Sequence, residues 1–180
     1  MTDQRQPIKP QPGFQVSFLS SPADIVIGGG AAGAGKSYAL LMEPPRHGHV
    51  PGFRAVIFRR TTVQVKNSGG LWDTSKEIYL KITDFSGRTP QPTENPPKWK
   101  FPNGATLLFS HLEYESTKFD WDGAQIALLG FDELIHFTPG QFWYLVGRNR
   151  SACGVRPYIR ATTNPQTSGW VKRFISWWIY

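Results

Sequence analysis

Residues 24–37 read DIVIGGGAAGAGKS, and this stretch decides the fold. The segment 24–27 is short, apolar and β-branched after its first residue, which is typical of a buried strand, and the glycines that follow predict a tight loop. The run from Gly30 to Ser37 fits the pattern of glycine, four residues, then glycine, lysine and serine or threonine. Small residues there let consecutive backbone N–H groups surround phosphate oxygens. The stretch therefore predicts a phosphate-binding loop between a strand and a helix.

The residues of this loop have separate expected roles. Lys36 supplies a positive charge to the β and γ phosphates, and the Ser37 hydroxyl can bind Mg²⁺. ATP with Mg²⁺ is therefore the expected ligand. The candidate nucleotide-binding residues in this region are Gly30, Gly33, Ala34, Gly35, Lys36, Ser37 and Tyr38.

A second motif lies about a hundred residues further along. The run 126–131 is continuously apolar, as a strand covered on both faces requires, and it stops at Asp132 and Glu133. Asp132 is expected to hold Mg²⁺ at the tip of that strand. Glu133 is expected to be catalytic, because a carboxylate beside the metal can orient and polarise a water molecule that attacks the γ phosphate.

The remaining pattern alternates strands and helices and predicts an α/β domain with a mostly parallel sheet flanked by helices. Asn103-Gly104 suits the turn of a β-hairpin, and Thr138-Pro139 suits a helix start. The proline-rich segment 89–97 predicts a surface loop. Further predicted strands are 54–58, 99–101, 105–109 and 157–163, and predicted helices are 36–42, 71–82, 138–146 and 170–178.

Composition excludes several classes of protein. The chain has 180 residues and a net charge of +7, which favours a polyanionic partner. A single cysteine cannot form an intrachain disulfide framework, and no apolar run is long enough to span a membrane. The start of the chain is not a secretory signal, so an intracellular protein is expected. We expect a flexible segment over 1–12, one domain over 13–180, and continuation of the natural polypeptide beyond its apolar end.

Four features, taken in order over about residues 13–178, resemble the ATPase domain of the large terminase subunit of tailed phages. The resemblance implies a motor that hydrolyses ATP to drive double-stranded DNA into a capsid. It also implies the additional-strand, conserved-glutamate class of P-loop ATPases, with strand 157–163 between the phosphate-loop and Asp132 strands. The four features are the phosphate loop, the hairpin at Asn103-Gly104, the segment from Trp121-Asp122-Gly123 to Glu133, and Ala161-Thr162-Thr163-Asn164-Pro165.

The resemblance also implies residue roles. Gln15 stands at the position of a glutamine that touches the adenine, and Thr162, Thr163 and Asn164 would contact the nucleotide and couple hydrolysis to movement. Some terminases carry an arginine in the phosphate loop or just before the glycine that precedes the second motif, and Asp122 stands at the latter place here. The candidates for the missing arginine, acting in the same or a neighbouring subunit, are Arg148, Arg150, Arg59 and Arg60.

The implied partners are double-stranded DNA, the portal protein, the small terminase subunit and further copies of the chain in a ring. The implied location is the host cytoplasm, with transient docking on the procapsid portal. No acidic cluster for a nuclease occurs, so DNA cleavage is not expected from these residues. A small-molecule P-loop kinase and a nucleotide-gated binding module are the alternative functions.

Overall fold

The computed structural model describes residues 8–31, 33–164 and 168–179. The flexible segment predicted at the start therefore falls mostly outside the described residues, as do Ala32 of the loop, Pro165 and Tyr180. None of the described helices is long and apolar enough to cross a membrane. The described strands are β1 (Ile25–Gly29), β2 (Arg54–Arg59), β3 (Gln91–Glu94), β4 (Pro97–Lys100), β5 (Thr106–His111), β6 (Leu128–Phe131) and β7 (Tyr158–Thr163).

These strands form one mostly parallel sheet in the order β1-β7-β6-β2-β5-β4-β3. Every pair from β1 to β5 in this order is parallel, and β4 and β3 add to the edge in antiparallel fashion. The predicted fold class is confirmed, and β7 lies between β1 and β6 as the resemblance implied. Assignment to the additional-strand class stays a prediction.

The hairpin is confirmed, but the loop predicted over 89–97 is wrong in part. Residues 91–94 form β3, which pairs antiparallel with β4. Its four side chains are all exposed, and it is the last strand of the sheet. A proline is tolerated there because an edge strand has N–H positions that face solvent and need no partner in the ladder. The proline content indicated a loop, whereas the position at the edge permits a strand.

Helices pack on both faces of the sheet. The alternating side chains of β2 show the division, because Ala55 and Ile57 belong to one apolar cluster and Val56 and Phe58 to the other. The first cluster includes residues of α1, α2 and α4, and the second includes residues of α5 and α6. The described helices are α1 (Phe14–Ser20), α2 (Lys36–Met42), α3 (Thr62–Lys66), α4 (Leu71–Tyr79), α5 (Pro139–Val146) and α6 (Trp170–Ile179), with 3₁₀ turns at Pro44–His47, Glu115–Trp121 and Leu134–His136.

The predicted helix at 71–82 ends at Tyr79, and the sequence pattern missed α1 and α3. Both missed helices are short, with seven and five residues, so neither completes enough turns to reveal a helical period. The start of α3 carries a local signal, since Thr61 and Gln64 form a reciprocal capping box.

Candidate active site

The predicted site residues come together at one edge of the sheet. The strands β1, β7, β6 and β2 are parallel neighbours, so their carboxyl ends meet there. The phosphate loop follows β1, Asp132 follows β6, and Thr162 and Thr163 close β7. Ligands of open α/β sheets bind at this edge, in the crevice beyond the strand ends.

The phosphate loop has a backbone that requires glycine at two positions. Gly33 has φ +81° and Gly35 has φ +69°, both in the left-handed region that side chains rarely adopt. At Gly35, a Cβ would also lie 2.5 Å from Nε2 of Gln15. The glycines of the sequence pattern therefore correspond to a tight turn at the start of α2.

Lys36 folds back over this loop. Its ammonium donates hydrogen bonds to the carbonyl oxygens of Gly30 and Ala31, each at 2.8 Å. Lys36 is only 6% exposed, and among the described residues no carboxylate accepts from it. A buried cation that faces only neutral carbonyls favours an anion, because an opposite charge offsets the cost of its lost hydration.

Gln15 of α1 lies against the phosphate loop. It is 3% exposed, and Nε2 donates to the Gly35 carbonyl at 3.3 Å. The opposite end of the amide, Oε1, accepts from the backbone N–H of Gln11 at 2.7 Å. These bonds place Gln15 beside the loop, and contact with adenine stays a prediction. Tyr38 is partly buried and packs against the apolar cluster beneath α2.

Asp132 connects three elements of the site. Its carboxylate is fully buried, and Oδ1 accepts from Thr162 Oγ1 at 2.6 Å and from Ser37 Oγ at 3.0 Å. Ser37 Oγ also lies 3.1 Å from Oδ2. The two residues predicted to bind Mg²⁺ are therefore in direct contact, although they are separated by 95 positions in the chain.

Arg59 is the cation beside this carboxylate. Its Nε donates to Asp132 Oδ2 at 2.6 Å, and Nη2 forms an ion pair with the same oxygen. Arg59 ends β2, and β2 and β6 are neighbours in register from Ala55 to Phe58, so the residues that follow meet at the strand tips. Of the four candidate arginines, Arg59 is the one that reaches the site within this chain.

Glu133 has an unusual backbone and a defined partner. It has φ +61°, the sole positive φ of a non-glycine residue in the described chain. Its backbone N–H donates to Thr162 Oγ1 at 3.0 Å, and Oε2 accepts from Asn164 Nδ2 at 2.7 Å. Asn164 Oδ1 is buried and has no hydrogen-bond partner among the described residues. The left-handed turn directs Glu133 away from the path of Asp132, toward the end of β7.

The Thr162 hydroxyl links both carboxylate residues. It donates to Asp132 and accepts from the Glu133 backbone, so it uses its donor and one acceptor position. Thr163 also ends β7 and is 5% exposed. Its hydroxyl donates to the Asn164 carbonyl at 3.2 Å, which ties it to the chain rather than to the carboxylates.

Arg148 and Arg150 lie at the opposite edge of the sheet. Backbone bonds join both residues to Ile126, which precedes β6, whereas Asp132 follows that strand. Six residues of extended chain between Ile126 and Asp132 correspond to about 20 Å. Neither arginine reaches the phosphate loop of its own chain, and action on a neighbouring subunit stays a prediction.

Arg148 has partners at that edge. Nη2 donates to Asp122 Oδ1 at 2.7 Å, and the side chain lies against the Tyr144 ring. A hydrogen bond with Tyr144 and the charge of Asp122 raise the pKa of Arg148 above its ordinary value. Arg60 is anchored elsewhere, because its guanidinium donates to the Leu112 carbonyl at 2.8 Å and to Gln141 Oε1 at 3.2 Å.

One buried ion pair that supports the site was missed from the sequence. Glu43 follows α2 and is fully buried, and Oε1 accepts from Arg160 Nε of β7 at 3.0 Å. The pair ties the far end of the phosphate-loop helix to the strand that carries Thr162. Glu43 stands immediately before two prolines that end the helix, but no sequence pattern identifies a partner 117 residues away.

Comparison with known proteins gives a family match. The model of the terminase large subunit family, T4likevirus-type, N-terminal, matches residues 27–180. No curated protein matches the chain.

Several solved structures share this fold. The chain is similar to the large terminase ATPase domain of Thermus phage P74-26, with 17% identity and a TM-score of 0.63, covering 93% of this chain and 69% of that one. For the large terminase of bacteriophage HK97 the identity is 15% and the TM-score 0.64, over 88% of this chain and 34% of that one. A large terminase from a thermophilic bacteriophage, solved in complex with ADP, gives 14% and 0.55, over 83% and 37%.

Proposed function

The chain belongs to the terminase large subunit family, T4likevirus-type, N-terminal, and we propose that it binds and hydrolyses ATP to drive packaging of viral DNA. The alignment spans about a third of the HK97 terminase chain and somewhat over two thirds of the P74-26 ATPase domain. The proposed activity is therefore that of an ATPase domain, and no nuclease activity is assigned to these residues.

One observation carries this proposal: a buried lysine with only neutral partners lies in a glycine loop at the same sheet edge as Asp132 and Glu133. Lys36 is 6% exposed and donates to two loop carbonyls. A triphosphate supplies the anion that this cation lacks, and Gly33 and Gly35 leave the loop backbone free of side chains where the phosphates approach. The terminase of the thermophilic bacteriophage, which is similar in fold, was solved in complex with ADP.

The chemistry of the donors fits Mg²⁺. Ser37 and Asp132 offer a hydroxyl and a carboxylate in contact with each other, and Mg²⁺ prefers a few oxygen ligands together with substrate phosphates. Mg²⁺ held there would neutralise charge on the β and γ phosphates during transfer. Thr162 keeps Asp132 in place through its hydrogen bond to Oδ1.

Glu133 is the proposed general base. Its carboxylate is held by Asn164 at the end of β7, next to but separate from the carboxylate of Asp132. From there Glu133 orients a water molecule for attack on the γ phosphate and accepts its proton. The buried, unpartnered Oδ1 of Asn164 is an acceptor available to the same water. This arrangement favours hydrolysis over transfer to a second substrate's hydroxyl group.

The proposed partners follow from family membership and charge. A net charge of +7 suits contact with DNA phosphates, which is tolerant of sequence and weakens steeply with salt. We place the protein in the infected host cell, docking on the procapsid portal with the small terminase subunit. Further copies of the chain form a ring in this proposal, which is where Arg148 and Arg150 would act on a neighbouring site.

The testing experiment measures release of inorganic phosphate from ATP with Mg²⁺, with and without double-stranded DNA, for the wild type and Lys36→Ala. Lysine at a phosphate loop is the group required for triphosphate binding, so the variant is expected to lose activity. Phosphate release without any added acceptor supports a hydrolase. Transfer of the γ phosphate to a metabolite would favour the kinase, and tight ATP binding without turnover in the presence of DNA would favour the binding module.

A further inference from the structure

The carboxylate of Asp132 has no vacant acceptor position. A carboxylate offers about four lone-pair sites. In Asp132 these receive the Thr162 hydroxyl, the Ser37 hydroxyl shared between both oxygens, and Nε and Nη2 of Arg59. A metal ion that binds directly to Asp132 therefore requires one donor to leave.

The donors differ in how firmly they are held. Thr162 is fully buried in β7 and is also bonded to the Glu133 backbone, so it is fixed from two sides. Ser37 is itself an expected metal ligand through its oxygen. Arg59 has a side chain that is 22% exposed, and among the described residues Asp132 is the one acceptor of its guanidinium hydrogen bonds. Arg59 is the donor that can leave at least cost.

A second arginine–carboxylate pair in the same sheet shows what a permanent pair looks like. The side chain of Arg160 is 4% exposed, and besides Glu43 it donates to the carbonyl oxygens of Ala23, Ile159 and Ser21. Removal of Glu43 from that guanidinium would still leave three acceptors. Within the described part of the chain, the Arg59 guanidinium has no such backbone anchors, and it reaches solvent directly.

Charge gives the same answer. Both Arg59 and Mg²⁺ are attracted to Asp132 by the same negative charge, and together they would place three positive charges around one buried carboxylate. Like charges at contact distance in a partly buried site repel each other strongly. Occupancy of Asp132 by one cation therefore disfavours occupancy by the other.

We propose that Arg59 neutralises Asp132 in the metal-free protein and leaves its Oδ2 when Mg²⁺ and nucleotide bind, so that guanidinium and metal compete for one carboxylate. This inference rests on the proposed function, because it takes the site as one for Mg²⁺ and nucleotide. Arg59 then acts as a positioning residue: it keeps the buried carboxylate paired while the site is empty, and its release reports that the metal has bound.

The test is a titration of Mg²⁺ against the binding of ADP, followed by calorimetry, for the wild type, Arg59→Gln and Arg59→Lys. ADP is chosen because it lacks the γ phosphate, which a released Arg59 could contact. Removing the competitor is expected to lower the Mg²⁺ concentration at half-maximal binding about tenfold in Arg59→Gln, a typical size for coupling between two sites. Arg59→Lys keeps the charge but loses the fork geometry and is expected to fall in between.

Thermal unfolding supplies the second readout. Without ligand, Arg59→Gln is expected to unfold at a lower temperature than the wild type, because a buried carboxylate loses its cation. Saturating Mg²⁺ and ADP is expected to raise its unfolding temperature more than that of the wild type. The matched control is Arg54→Gln, at the exposed opposite end of β2, which is expected to match the wild type in both measurements.

The outcomes separate this inference from the proposed function. A wild-type protein that shows no Mg²⁺-dependent binding of ADP contradicts the proposed function itself. Binding with an unchanged or higher Mg²⁺ requirement in both Arg59 variants overturns the competition and makes Arg59 a structural or nucleotide-binding residue. Arg59→Lys decides the matter if Arg59→Gln does not fold.

Discussion

Asn164 Nδ2 donates a 2.7 Å hydrogen bond to Oε2 of Glu133, and this bond holds the proposed general base against the end of β7. The two residues belong to different predicted motifs and are 31 positions apart. Their contact joins the carboxylate that orients water to the strand that would sense the nucleotide. The contact therefore makes Asn164 a specific target for mutation.

Asn164→Ala is expected to reduce the turnover number for ATP about 100-fold, because misplacement of a catalytic group by about 1 Å has effects of that size. The Michaelis constant is expected to change little, since Lys36 and the loop still bind the phosphates. Steady-state kinetics measures both. Asn149→Ala, which removes an amide that bonds backbone carbonyls at the far edge, controls for general loss of structure. Equal turnover in Asn164→Ala and wild type would remove Asn164 from the mechanism.

The backbone strain at Glu133 can be measured separately from its chemistry. A residue with a Cβ at φ +61° is strained, and glycine is not. Glu133→Gly is expected to have a free energy of unfolding about 1 kcal/mol higher than Glu133→Ala, since both variants lack the carboxylate and only one keeps a Cβ. Urea denaturation compares them. An alanine variant as stable as the glycine variant would show that the left-handed turn carries no strain.

Lys36→Met is expected to separate binding from stability. The buried ammonium has only neutral partners among the described residues, so its loss is expected to leave the free energy of unfolding within about 0.5 kcal/mol of the wild type, or to raise it. ATP affinity is expected to fall about 100-fold, because a desolvated charge contact with phosphate is lost. Calorimetry and denaturation check the two halves. The control Lys66→Met changes an exposed lysine in α3 and is expected to alter neither.

Stability is expected to depend on pH through His47. Burial, with a smaller contribution from Arg46 and His49, lowers its pKa below the ordinary value of 6.5. The folded state therefore binds the proton less readily than the unfolded state, so the stabilisation is complete above pH 6.5 and is lost as the pH falls toward the lowered pKa.

His47→Phe checks this dependence. The substitution preserves an aromatic ring beside Phe53 and Tyr158, whose ring centroids lie 5.0 and 5.7 Å from that of His47. The variant is expected to lose less stability than the wild type between about pH 7 and pH 5, because it has no proton to take up there. Denaturation curves at both pH values supply the comparison. Identical losses in the two proteins would mean that His47 titrates alike in the folded and unfolded states.

Much of the fold follows from local patterns that survive in a single sequence. The apolar run 126–131 supplies a strand in the middle of the sheet, and the segment 24–27 supplies the strand before the phosphate loop; runs of that kind have few alternatives. The phosphate loop was predicted because its glycines are required by backbone geometry, which Gly33 and Gly35 display at positive φ. The hairpin turn was predicted because Asn103-Gly104 suits its geometry.

The errors have a common physical cause. Whether residues 91–94 form a loop or an edge strand depends on β4, their tertiary neighbour, and the prolines alone do not decide it. The ion pairs Arg59–Asp132 and Arg160–Glu43 join residues 73 and 117 positions apart, so no local spacing reveals them. Sequence reasoning identified Arg59 only as one of four arginines, and the topology of the sheet distinguishes it.

The measurement that tests the central claim most directly compares ATP hydrolysis and ATP binding in the wild type and Glu133→Gln. Glutamine keeps the size of the side chain and can still bond Asn164, but it cannot accept a proton from water. The expected result is a turnover number lower by about 1,000-fold, within the range for loss of a general base, with the dissociation constant of Mg·ATP unchanged within about threefold. Hydrolysis at the wild-type rate by Glu133→Gln would contradict the account.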